Sequence, residues 1–138
     1  MSSCRFAFAV HVMAVLALRR DQCCPSSRLA DTVNTNPVVI RRLLIDLQNA
    51  GLIRTQRGPR GGAFLHEKPE KVSLLQIHAA VGSLEFFGAH PNRPSRDCPV
   101  GKRIESVMQQ IQTRANRSIE RELQKITLAD VLRELKAG

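Results

Sequence analysis

Arginine is the side chain best suited to gripping a polyanion, because its planar fork pairs bidentately with a guanine edge or a phosphate. Arg41 and Arg42 stand near the start of a helical segment together with Thr35, Asn36 and Val38, and Arg57 and Arg60 interleave with Gly58 and Gly61. Residues at the N-terminal end of a recognition helix are the ones that meet base edges and phosphates. Glycines in a turn let backbone amides approach a phosphate, while the neighbouring arginines supply charge there or in the minor groove. A plain tight hairpin would explain the glycines but not the arginines. Ser26, at the head of the preceding helix, completes the candidate DNA-binding set, with Arg54 and Gln56 as weaker neighbours.

Other chemistries have less support. Cys98 precedes Pro99 near the start of a helix whose dipole could lower a thiol pKa, so it is a candidate redox switch, or else a loop cysteine without a role. Cys23 and Cys24 read as packing residues, and no spacing of Cys4, Cys23, Cys24, Cys98 and the histidines matches a metal site. No nucleophile beside a base, no phosphate-cradling loop before a helix and no clustered carboxylates suggest an enzyme. No catalytic residue, no metal and no cofactor is therefore expected.

The elements that position the arginines can be read from local signals. Residues 6–18 are apolar except for His11, with Phe6, Val10, Met13 and Ala17 at helical spacing, as in a central core helix. A targeting segment is the alternative for this run, but no small-residue cleavage site follows and it is too short to span a bilayer. Ser26 or Ser27 is expected to cap a short helix, Asn34 to Asn36 to form a turn, and Asn36-Pro37 to open a third helix. That helix would bury Val39 or Ile40, Leu43, Leu44 and Leu47 and stop at Gly51. Strands over 52–55 and 63–66 flank the turn 57–62, and Ser73 should cap a helix closed by Gly82. A Gly-, Pro- and Asn-rich loop follows. Then Ile104, Val107 or Met108, Ile111, Ala115 and Ile119 step by three and four along a helix of some twenty residues, and Thr127 caps a last one.

The expected class is mainly α with a small β-wing. It comprises a winged helix-turn-helix DNA-binding domain over 1–82, a loop over 83–98 and a helical dimerisation arm over 99–138. The dimer interface would be Ile104, Met108, Ile111, Ala115 and Ile119. Composition agrees: a net charge of +9 over 138 residues implies a polyanionic partner, and 43% hydrophobic content supports a folded core. Without a legible disulfide framework, a reducing cytoplasm is the expected compartment, with no membrane partner.

Three stretches carry a family resemblance: Ser26-Ser27-Arg28-Leu29-Ala30, the run from Leu43 through Ala50-Gly51-Leu52-Ile53, and Arg57-Gly58-Pro59-Arg60-Gly61-Gly62-Ala63-Phe64-Leu65. Together they resemble the Rrf2 family of bacterial winged-helix regulators. Val72 to Ile77 is similar to the family's helix after the wing, and Cys98-Pro99-Val100-Gly101 to the start of its long dimerisation helix. The resemblance implies a homodimeric regulator of double-stranded DNA, often a repressor, whose members sense iron–sulfur status, nitric oxide, redox state or a metabolic partner. Cluster-holding members have three closely spaced cysteines before the long helix. Here that loop has Cys98 alone, so cluster sensing does not carry over. The residues name no effector. The rival reading is a protein-interaction module whose winged helix no longer reads DNA.

Overall fold

The computed structural model describes residues 4–82, 86–87 and 91–137. Helix α1, Arg5–Leu18, is the hub: Ala9, Val12 and Met13 are inaccessible to solvent, Ala14, Leu16 and Ala17 are buried, and Phe6 and Val10 pack at the edge. An apolar surface that reaches most of the way round a helix must be covered from several sides. Here α2 (Ser26–Val33), α3 (Pro37–Asn49), β2 (Gly62–Leu65), α4 (Leu74–Val81) and α6 (Leu128–Ala137) all lie against it.

Neither Ser26 nor Ser27 caps α2, contrary to expectation. The cap residue is Pro25 in extended conformation, no side chain closes the end, and Ser26 is already helical. The cause is tertiary. Cys24 exchanges two backbone hydrogen bonds with Ala63, N–H to O at 2.9 Å and O to N–H at 2.8 Å, which holds the chain extended up to Pro25. After α2 ends on Asn34 in the left-handed conformation, Asn36 opens α3 as its neighbours predict: its side-chain oxygen accepts from the Val38 N–H at 2.8 Å, with Pro37 in the first turn. Ile40, Leu43, Leu44 and Leu47 face the core. Gly51, at φ +78°, stops the helix, with the N–H groups of Gly51 and Leu52 donating to Gln48 and Leu47 in a Schellman arrangement.

Because Leu52 is spent on that cap, the first strand begins one residue later than the pattern suggests, whereas the second begins one residue earlier, at Gly62. Strand β1, Ile53–Gln56, pairs antiparallel with β2 in the register Ile53↔Leu65 and Gln56↔Gly62. A 3-10 turn at Pro69–Lys71, absent from the sequence reading, leads into α4. There Ser73 and Gln76 form a reciprocal capping box.

Helix α5, Pro99–Lys125, has 27 residues, longer than expected, and none of them is buried. Thr127 caps α6 by accepting from Asp130 N–H at 3.1 Å, while Thr127 N–H donates to the Asp130 carboxylate at 2.9 Å. Leu128 is fully buried in the common core, and backbone bonds from Leu74 N–H to Ile126 O and from Leu128 N–H to Val72 O fasten α6 to the body.

Candidate nucleic-acid interface

With one face of α3 spent on the core, the other is left to solvent: Val38, Arg41, Arg42, Ile45, Gln48 and Asn49 are all exposed. Arg41 and Arg42 have no ion-pair partner among the described residues. Asp46, the acidic residue of α3, is occupied by Arg5, which ties the start of α1 to the recognition helix. The reading of the sequence missed this pair, since nothing local links positions so far apart. Asn36 is committed to its cap and Thr35 N–H to Ala30 O at 3.0 Å, so these two residues set the turn before the helix. Ser26 is half-buried in the first turn of α2.

The wing presents Arg57, Gly58 and Arg60 in the open, and neither arginine has an ion-pair partner among the described residues. Gly58 lies at φ +109°, and its carbonyl accepts from Gly61 N–H at 2.9 Å, which closes the tip. Packing explains the next two glycines. A Cβ on Gly61 would stand 2.0 Å from Gln56 O, and one on Gly62 would stand 2.4 Å from the Cys24 carbonyl. Gly61, whose type and place suit phosphate approach, thus has a structural duty as well. Buried Cys24, read only as a packing residue, proves to be the seat on which the wing rests. Cys23, beside it, donates through sulfur to Gln56 Oε1 at 3.5 Å.

The thiols differ by environment. Cys98 is exposed at the cap position of α5, where the backbone amides of Gly101 and Val100 hold its pKa below the ordinary value. Burial pushes the Cys24 thiol up, against weaker lowering by Arg28 and Arg19. Along α5, Met108 and Ile111 are exposed, while Ile104, Ala115 and Ile119 are half-covered by their own chain.

Two short helices at a capped turn, followed by a two-stranded wing and a long helix, define a winged-helix transcription regulator. Comparisons with known proteins narrow the class. Residues 2–134 match the model of the Rrf2 family, described as an iron-dependent transcriptional regulator. YwnA of Bacillus subtilis, provisionally named a helix-turn-helix-type transcriptional regulator, is 37% identical over 136 residues, covering 98% of this chain and 99% of its own. A crystal structure of a protein provisionally assigned to DNA binding superposes with a TM-score of 0.74 at 33% identity, over 93% of this chain and 98% of that one. The global cysteine regulator CymR of B. subtilis shares the fold, with a TM-score of 0.72 at 21% identity over 97% of both chains. The chain belongs to the Rrf2 family. It is thus a transcriptional regulator and not an enzyme.

Iron in the family description calls for a donor set, and the residues do not fit one. Among the described residues no three of His, Cys, Asp and Glu come together as a metal would need. Cys98 stands alone in its loop, and Cys24 is buried against Ala63. Nor is any described helix long and apolar enough to cross a membrane.

Proposed function

We propose that the chain is a cytoplasmic, homodimeric repressor that reads a near-palindromic site in double-stranded DNA. Two copies of α3 enter successive major grooves, the wings lie against flanking phosphates, and Arg41 and Arg42 supply the base and phosphate contacts. The DNA-binding unit is 1–82. The region 99–138, following the loop 83–98, provides the pairing surface through Ile104, Met108, Ile111, Ala115 and Ile119. One observation carries the reading: Arg41 and Arg42 stand exposed on the open face of a capped helix, without counter-ions among the described residues, beside a wing that carries Arg57 and Arg60. Four exposed guanidinium groups on α3 and the wing, unpaired among the described residues, suit a polyanion. Cys98 is the group through which an oxidising signal would act, since its thiolate forms at lower pH than an ordinary thiol's.

The test is selection of genomic fragments by the full-length protein, followed by gel shift at two salt concentrations. Retention of one fragment above excess competitor is expected at both. Equal, salt-labile binding to every fragment would favour the protein-interaction module instead.

A further inference from the structure

We infer that α3 reads thymine methyl groups through Val38 and Ile45; this deepens the DNA-binding role proposed above and rests on it. Both side chains are apolar yet open, Val38 at 47% and Ile45 at 59% exposure, although the helix has a complete inner face of Ile40, Leu43, Leu44 and Leu47. Seven residues make just under two helical turns, so the two project from the same side, about 10 Å apart along the axis. Arg41 and Arg42 lie on either side of that line, each offset by about 50° around the helix. Ile45 escaped the sequence reading because an exposed isoleucine cannot be told from a buried one by type.

The pattern is an apolar centre line with cationic edges, and it selects its occupant. Asp46 is held by Arg5, and Arg54, Arg57 and Arg60 add positive charge from the adjacent hairpin. A surface of that sign suits DNA. Within the major groove the thymine C5 methyl is the apolar group that a base pair displays, and valine or isoleucine against it excludes water from both. A span of about 10 Å matches roughly three base-pair steps at about 3.4 Å each. Each half-site should therefore hold two read thymines about three base pairs apart, with Arg41 and Arg42 on the flanking bases or phosphates.

Replacing thymine by uracil removes the methyl and nothing else. The full-length protein is first used to select a genomic fragment; each thymine of that fragment is then replaced singly by uracil, and binding is measured for wild type, Val38→Ala and Ile45→Ala. Alanine at exposed helical positions keeps the fold, which circular dichroism checks. We expect two positions per half-site at which uracil weakens wild-type binding about fourfold, the loss of one buried methyl. One penalty should vanish in Val38→Ala and the other in Ile45→Ala. A selected fragment indifferent to every uracil, or penalties that persist unchanged in both variants, would overturn the inference while leaving the regulator's DNA binding intact. A protein that selects no fragment fails at the earlier step, and the inference falls with it.

Discussion

Gly62 decides where the wing can sit. Its φ of +145° and the 2.4 Å gap between a would-be Cβ and the Cys24 carbonyl mean that any side chain must pry β2 from the segment before α2. Gly58 has a positive φ too, but a Cβ there meets nothing within 4 Å. Gly62→Ala should thus cost about 1–3 kcal/mol or more and weaken DNA binding, whereas Gly58→Ala costs about 1 kcal/mol. Equal melting temperatures for the two variants would contradict this seating. The run of wing glycines was visible in the sequence, yet the reason for Gly62 was not, because its partner Cys24 lies far upstream. Also at this scale, amides at the start of α5 lower the Cys98 pKa, so alkylation of Cys98 should set in at lower pH in the folded protein than in urea. Buried Cys24 should react only on unfolding. Peptide mass mapping after brief iodoacetamide treatment distinguishes them, and modification of Cys24 before Cys98 would overturn the assignment of Cys98 as the sensor.

At the scale of elements, α4 is joined to its surroundings by His78. The ring stands edge-on to Phe6 of α1, centroids 5.0 Å apart, and 4.6 Å from Phe86, with Nδ1 buried and without a hydrogen-bond partner among the described residues. Burial lowers its pKa below the usual 6.5, so the unfolded chain takes up this proton first as pH falls. Between the usual value and the lowered one the unfolded state holds more protons, and stability declines with acidification through that window. His78→Phe keeps the aromatic packing and removes the proton site. Its melting temperature should fall less than that of wild type between pH about 7.5 and about 5.5; an identical decline in both would exclude His78 as the cause. Helix starts at Asn36-Pro37, Ser73 and Thr127 could be read from the sequence because each is settled within four residues. The α2 cap and the strand limits could not, since the Cys24–Ala63 pairing and the Leu52 bond to Leu47 settle them from outside.

For the whole molecule, α5 is the unfinished part. A 27-residue helix with Val100, Val107, Met108 and Ile111 all more than a third exposed leaves an apolar stripe in water, and a second copy of the same stripe is the proposed cover. Ile111→Glu would place an unpaired carboxylate in that seam at a cost of several kcal/mol. Light scattering should then report monomer, with reduced affinity for a two-half-site fragment. A variant that stays dimeric would move the interface elsewhere. The winged helix and the family were legible because they rest on local motifs in chain order. The docking of α6 on the body was not: it depends on Leu128 meeting Val72 across the chain, which no periodicity reveals.

The claim on which the rest depends is that the open face of α3 reads bases while the wing holds phosphates. Equilibrium binding of wild type, Arg41→Ala, Arg42→Ala and Arg60→Ala to the selected fragment and to a scrambled duplex, across a salt series, tests it most directly. Loss of Arg41 or Arg42 should cost about 1–3 kcal/mol on the selected fragment and much less on the scrambled one. Arg60→Ala should weaken both alike and reduce the salt slope by about one. Unchanged affinity in all three variants, with the fold retained, would contradict the assignment of this surface to DNA.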